Sequence, residues 1–323
     1  MLFLSCRHTA AAAASAVTLC LAAAPGTATA FTGLVVFGDS LSDNGNLFAA
    51  TTSLFGLGNG FPGTPYFNGR FSNGIVAAEY LATGLGLNNP AQFMNFAVGG
   101  AQTGANGSGG AGTGMRSQVD LFITGLGAAS ANSGALYMLW GGANDLLQAD
   151  PATLLDPVAR TALVTTSVTN LVGEVQSLYL KGARNFLLPL LPDIGKTPYA
   201  LGLFGGSFSA PASQIAAGYN AALLGGYSQL AAMLPDEKFY SFDTFAATNA
   251  VIPGFANSTG QCLADGKFPD CTGYMFFDDR HPTTATHALL GQQMLAAVPE
   301  PATMLMMGVG VLALLGASRR RRV

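Results

Sequence analysis

Short apolar, β-rich runs recur along the chain at Leu34–Phe37, Gln92–Ala97, Leu136–Trp140, Phe186–Leu190 and Phe239–Phe242. They do not alternate strictly between apolar and polar, which is the pattern of strands buried on both faces of a parallel sheet. Between them, Asn73–Leu85, Pro157–Leu180, Pro211–Leu234 and Pro282–Ala297 have helical length and spacing. Strand and helix therefore take turns. That order predicts an α/β fold, a three-layer α/β/α sandwich around a mainly parallel five-stranded sheet. Ligands in such sheets bind beyond the carboxyl ends of the strands.

Both ends of the chain depart from this pattern. Met1 to Ala30 carries Arg7, an alanine-rich apolar run through Leu21, and Ala28-Thr29-Ala30. These are the parts of a signal peptide with an A-x-A cleavage site, which makes Phe31 the expected mature N-terminus. Leu19 is bulky where a lipoprotein signal before Cys20 needs a small residue. At the other end, Val298-Pro299-Glu300-Pro301 precedes an apolar run from Ala302 to Ala317 and then Arg319 to Arg322. The run is shorter than the roughly 20 residues of an ordinary bilayer span, and its arginines would stay cytoplasmic. Motif, apolar helix and basic tail together resemble the PEP-CTERM sorting signal of Gram-negative bacteria, over residues 298–323. The resemblance implies transient residence in the inner membrane, recognition by an exosortase-type processing enzyme, and removal of the tail. A plain tail anchor is the alternative.

The expected single domain is then residues 31–297, undivided by any Pro- or Ser-rich linker. Without Arg7, Glu300 and the terminal arginines it holds 9 basic and 16 acidic residues, near −7, against −3 for the whole chain. It has no basic cluster, which argues against a nucleic-acid partner. Only Cys262 and Cys271 remain, and in an exported chain they are expected to form one disulfide. Two cysteines and two histidines leave little basis for a Cys/His zinc site, and neither a metal nor an organic cofactor is implied.

The chemistry gathers at the ends of the apolar runs. Val35-Val36-Phe37-Gly38-Asp39-Ser40 takes a buried strand into a small polar turn with a serine at its tip. Hydrolysis by a serine needs a base for its proton, a group to orient that base, and donors for an oxyanion. Only His281 and His287 are available as bases in the domain. His281 follows Asp278 by three residues, so the carboxylate can face one ring nitrogen while the other faces Ser40. Asp279 is a less favoured orienting group, and His287, inside the last helix, reads as a packed or surface histidine. Asn95–Ala101 leaves a strand through Gly99 and Gly100, and Trp140–Asp145 leaves another through two glycines with Asn144 at its mouth. Glycines there let backbone N–H groups approach a ligand. Gly107–Gly112 matches G-x-G-x-x-G literally but lies in a Gly/Ala-rich loop that opens no helix, so it is read as a loop beside the site and not a dinucleotide fingerprint.

Gly-Asp-Ser-Leu-Ser-Asp (38–43), Gly-Gly-Ala (99–101), Gly-Ala-Asn-Asp (142–145) and Asp-Asp-Arg-His (278–281) stand in order along nearly the whole domain. Together they resemble the four blocks of the SGNH, or GDSL, lipase/esterase superfamily. Tyr66–Gly74 and Leu191–Pro198 add similarity to its lipase/acylhydrolase branch. The resemblance implies a flavodoxin-like sheet, Ser40 as nucleophile, His281 as base and Asp278 as its orienting acid. It also implies an oxyanion hole of the Ser40 N–H, the Gly100 N–H and the Asn144 side chain. No G-x-S-x-G elbow is present, so this is not an α/β-hydrolase.

The function so implied is that of a secreted serine carboxylester hydrolase acting on an acyl-ester substrate, a lipid or an acetylated glycan. An acyltransferase or exopolysaccharide deacetylase of the same fold is the enzymatic alternative, and a surface adhesion module the non-enzymatic one. Loops around Phe48–Phe67, Gly104–Met115 and Leu201–Phe208 are expected to build the pocket. The sorting signal implies export across the inner membrane to the cell surface, the extracellular matrix or the medium.

Overall fold

The computed structural model describes residues 30–298 apart from Pro235. The signal segment and the tail with its arginines lie outside the described residues. Among these, no helix is long and apolar enough to cross a membrane.

Five strands form one all-parallel sheet: β1 (Leu34–Gly38), β2 (Phe93–Asn95), β3 (Leu136–Trp140), β4 (Asn185–Pro189) and β5 (Lys238–Phe242). Their order is β2-β1-β3-β4-β5. This is the flavodoxin-like, doubly wound order, whose ligand crevice opens where the order reverses between β1 and β3. The helices are α1 (Asn46–Phe55), α2 (Ala77–Gly84), α3 (Met115–Leu126), α4 (Ala143–Leu147), α5 (Pro157–Lys181), α6 (Ser209–Met233), α7 (Thr244–Val251) and α8 (Thr284–Ala297), with shorter turns between some of them. A second, two-stranded sheet pairs β6 (Asn257–Gln261) with β7 (Tyr274–Phe276).

The strands sort their side chains between two cores, as the period of two requires. Val35 and Phe37 of β1, with Tyr137, Leu139, Phe186 and Leu188, pack against α3, α5 and α6. Leu34 and Val36, with Leu136, Met138 and Trp140, face α2 and α8. Both faces are covered, which is why these strands read as continuous apolar runs. Each buried Leu, Val or Phe contributes about 1.5–3 kcal/mol against an exposed reference. Local signals set the longest helix: Asp156 accepts the Val158 and Ala159 N–H groups with Pro157 at the first position, and Gly182 ends it in the left-handed region.

The boundaries differ from the sequence reading where tertiary contacts intervene. The helix expected from Asn73 starts at Ala77, because Asn73 instead takes the Thr284 N–H at the start of α8. The expected strand 92–97 shortens to β2, although the Phe96 and Val98 N–H groups still bond to the Val36 and Gly38 carbonyls. The region around Phe48 holds α1, not a loop, and 106–111 folds into a small antiparallel ribbon.

Candidate active site

Ser40 stands just past the carboxyl end of β1, beside the end of β3, at the reversal of strand order. The turn that carries it is tied down on every side. The Gln118 side chain of α3 grips the Gly38 peptide at both ends, accepting its N–H and donating to its carbonyl, each at 2.9 Å. A Cβ on Gly38 would meet the Trp140 carbonyl at 2.6 Å, so the close approach of β1 and β3 requires glycine there. Asp39 accepts the Leu41 N–H, and its backbone carbonyl accepts those of Ser42 and Asp43. Burial pushes the Asp39 carboxyl up to about 6, against the lowering effect of the Leu41 N–H.

Asp43 joins this turn to its neighbours. Its carboxylate accepts the N–H groups of Gly45, Asn46 and Leu47, and that of Gly99 at 2.8 Å. Burial raises its affinity for a proton, and the hydrogen bonds, led by that of Gly99, oppose the rise. This bond also separates the two glycines that sequence left close together. The Gly99 N–H is taken by Asp43, while the Gly100 N–H has no acceptor among the described residues. Gly100 has φ 78°, a conformation suited to glycine. Its carbonyl turns away and accepts from Ser108 N–H and Gln148 Nε2. The Ser40 N–H is likewise unengaged among the described residues. Asn144 commits one amide hydrogen to the Ala101 carbonyl at 3.1 Å, which fixes the plane of its side chain. Ser40, Gly100 and Asn144 all border one cleft.

His281 lies between β7 and α8. Its Nε2 is 2.8 Å from Ser40 Oγ and its Nδ1 is 2.6 Å from Asp278 Oδ2. Asp278 also accepts the backbone N–H groups of Arg280 and His281 and the phenol of Tyr66 at 2.8 Å. Burial works against the charged carboxylate, but the His281 imidazole and these hydrogen bonds outweigh it and hold Asp278 below the usual carboxylate range. An ionised Asp278 requires the shared proton to sit on Nδ1, which leaves Nε2 free to accept the Ser40 hydroxyl. A hydroxyl so placed can pass its proton to the imidazole as it attacks a carbonyl, while the carboxylate stabilises the imidazolium.

Other candidates fall elsewhere. Asp279 pairs with Arg280 at 2.8 Å, and its carboxylate makes no hydrogen bond to the imidazole among the described residues. His287 is fully buried, accepts the Ala77 N–H with Nδ1, and is held neutral by burial, at about 3. Cys262 and Cys271 are bonded and pack with Phe277, directly behind Asp278. Gly107–Gly112 forms the small ribbon beside the cleft and opens no helix. Leu201–Phe208 corrects the expected pocket: it lines neither cavity at Ser40, because Leu203 and Phe208 pack into the core. Its place is taken by Pro192–Thr197, from the Leu191–Pro198 block.

The segment Tyr66–Asn73 is the part of the site whose role sequence did not give. Tyr66 bonds to Asp278, Phe71 packs on the His281 ring at 5.0 Å, Ser72 donates to the Pro282 carbonyl, and Asn73 caps α8. Its signal was the similarity of Tyr66–Gly74 to the family. The residues it supports lie more than two hundred positions away, beyond the reach of any local pattern.

The sequence model of GDSL-like lipase/acylhydrolases matches residues 34–294, and that of the PEP-CTERM protein-sorting motif matches 297–322. An uncharacterised protein from the trpE-trpG intergenic region of Pseudomonas putida is 31% identical over 300 residues, covering 82% of this chain and 47% of that protein. A GDSL esterase/lipase of Arabidopsis thaliana is 26% identical, covering 81% of this chain and 89% of its own. A phosphatidylcholine-sterol acyltransferase of Aeromonas hydrophila is 28% identical with the same two coverages, 81% and 89%. The chain thus spans about half the length of the Pseudomonas relative and most of the other two.

Proposed function

Because the chain belongs to the GDSL-like lipase/acylhydrolase family, we propose that it is an exported serine carboxylester hydrolase that works through an acyl-enzyme on Ser40. The observation that carries this reading is the unbroken chain Ser40 Oγ–His281–Asp278, at 2.8 and 2.6 Å. In the first half-reaction Ser40 Oγ bonds to the ester carbonyl carbon and its proton moves to His281 Nε2. The resulting oxyanion is stabilised by the N–H groups of Ser40 and Gly100 and the Asn144 amide. The C–O bond to the alcohol then breaks, and that alcohol leaves with the His281 proton. Water repeats the sequence against the acyl-enzyme, releasing the acid and restoring Ser40. The PEP-CTERM match supports export and processing of the tail at the inner membrane by an exosortase-type enzyme. A surface protein of unchanged mass, with its last 26 residues retained, would count against that processing.

The test is hydrolysis of short p-nitrophenyl esters by the purified domain. Ser40→Ala is expected to lower kcat by about 10⁴-fold or more with an unchanged far-UV spectrum. Full activity in the variant would overturn the proposal. A second reading, acyl transfer to an alcohol, is favoured by the likeness to the Aeromonas acyltransferase. Acyl transfer to an added alcohol at the expense of free acid would favour it.

A further inference from the structure

Two cavities meet at the Ser40–His281 pair, and Ser40, Asn144, Arg280 and His281 border both. One, of about 60 Å³, is walled by Trp140, Leu147, Ile252, Met275, Phe276 and Leu290. Trp140, Met275 and Leu290 are at most 2% exposed, so its floor is the interior of the protein. Three of the polar groups along it are already engaged. Trp140 Nε1 donates to the Leu190 carbonyl, Thr286 Oγ1 to the Met275 carbonyl, and Asn249 Nδ2 to Asp193. An apolar guest there leaves these three hydrogen bonds intact, while Asp39, Lys196 and Arg280 also border the cavity. The second cavity, of about 650 Å³, is an open cleft alongside Thr51, Phe55, Phe61, Gly100 and Gln148.

Resting on the Ser40 esterase reading, we infer that the enclosed cavity holds the acyl chain and the open cleft holds the alcohol, so that the substrates are short-chain acyl esters of bulky alcohols. The order of bond breaking supports the assignment. The acyl group stays on Ser40 through both half-reactions and needs no route out until the end. The alcohol must depart and water must take its place, and the wider, more open cleft gives the easier access. Size sets the chain length. The cavity beside Trp140, at about 60 Å³ against about 650 Å³ for the cleft, leaves room for only a short acyl chain, acetyl to butyryl. On the cleft side, Phe55 and Phe61 are 66% and 56% exposed, and no charged residue occurs from Asn46 to Pro65. That rim offers apolar ring faces to a large alcohol.

The experiment measures kcat/KM over p-nitrophenyl acetate, butyrate, hexanoate and octanoate, and over acetate esters of small and large alcohols. The proteins are wild type, Met275→Ala, Ile252→Trp and Phe61→Ala. Wild type is expected to prefer acetate and butyrate. Met275→Ala, which lengthens the cavity, is expected to raise the hexanoate-to-acetate ratio by about 4-fold for each methylene newly accommodated. Ile252→Trp, on the half-buried rim, is expected to lower the butyrate-to-acetate ratio by a similar factor, and it carries the test if Met275→Ala does not fold. Phe61→Ala is expected to raise KM for acetates of large alcohols without moving the acyl profile. Ser40-dependent hydrolysis that is fastest on octanoate overturns the inference and leaves the esterase reading intact. So does an acyl profile that moves with Phe61 instead of Met275 and Ile252. No Ser40-dependent hydrolysis, with no labelling of Ser40 by an organophosphonate, overturns the esterase reading and the inference with it.

Discussion

The two halves of the site are built in different ways. Ser40 rides on β1 in the middle of the main sheet. The hydrogen bonds of its turn close within a few residues through Asp39 and Asp43, and reach Asn95, Val98, Gly99 and Gln118 farther along the chain. Asp278 and His281 belong to no strand of that sheet. Their loop is placed by Tyr66, Phe71, Ser72 and Asn73 from far back in the chain, and by the Cys262–Cys271 disulfide packed behind Phe277. The comparison teaches where each half is vulnerable. The serine half is damaged through its own turn. The histidine half is damaged through residues from distant stretches of the chain that hold Asp278 and His281 in place.

The largest expected effect lies in the serine half. Asp43→Ala removes the acceptor of four N–H groups, including that of Gly99. Loosening the Gly99–Gly100 turn should cost one oxyanion donor's share, about 10²–10³ in kcat, with stability falling by a few kcal/mol. Wild-type kcat in this variant would break the claim that Asp43 joins the serine turn to Gly100.

A pH experiment sharpens the same half. Asp39 has a folded value of about 6 against 3.8 when free, so the native state binds this proton more tightly than the unfolded chain does. Stability from this group is therefore greatest below about pH 4, falls as pH rises to about 6, and stays reduced above it. The difference amounts to at most about 3 kcal/mol. Asp39→Asn keeps an acceptor for the Leu41 N–H and removes the charge. Denaturant melts of the two proteins should differ most above pH 6 and converge below pH 4. A constant difference across that range would refute the assignment.

In the histidine half, replacing Cys262 and Cys271 by serine should lower stability by about 2.5 kcal/mol on chain-entropy grounds. The loss should appear first as falling activity, at temperatures where the main sheet still melts normally. Simultaneous loss of both would show that the halves are not separable. The smallest effect is expected for Tyr66→Phe. Asp278 keeps its bonds to the His281 ring and to two backbone N–H groups. Loss of one phenol bond is worth roughly 1 kcal/mol, about 5-fold in kcat, with KM unchanged. A change in KM alone would move Tyr66 from positioning to substrate contact.

Much of the fold could be read from the chain because its rules are local. Strands buried on both faces must be apolar throughout, which makes β1, β3 and β4 legible as unbroken apolar runs, while the edge strands β2 and β5 are only partly buried; the longest helix announces itself through Asp156, Pro157 and Gly182. The shorter helices α1, α3, α4 and α7 carry few such signals and are not among the helices the pattern predicts. Ser40, Gly100, Asn144, Asp278 and His281 were nameable from their ordered motifs, and the shortage of histidines narrowed the base to two. Which glycine keeps a free N–H was not nameable with the same force, since it depends on where the Asp43 carboxylate points.

The sequence by itself determined the alternation of elements, the turn that carries Ser40, and the residue types available for its chemistry. Each of these follows from backbone periodicity and from short-range hydrogen bonding. Only the tertiary structure decided that Tyr66 holds Asp278, that Asp279 turns to Arg280, and that Leu201–Phe208 stays clear of Ser40 while Pro192–Thr197 lines the site. It alone divided the space at Ser40 into a narrow, largely apolar cavity and an open cleft. Those outcomes depend on which surfaces meet when layers pack, a property of three-dimensional distance that no spacing along the chain encodes.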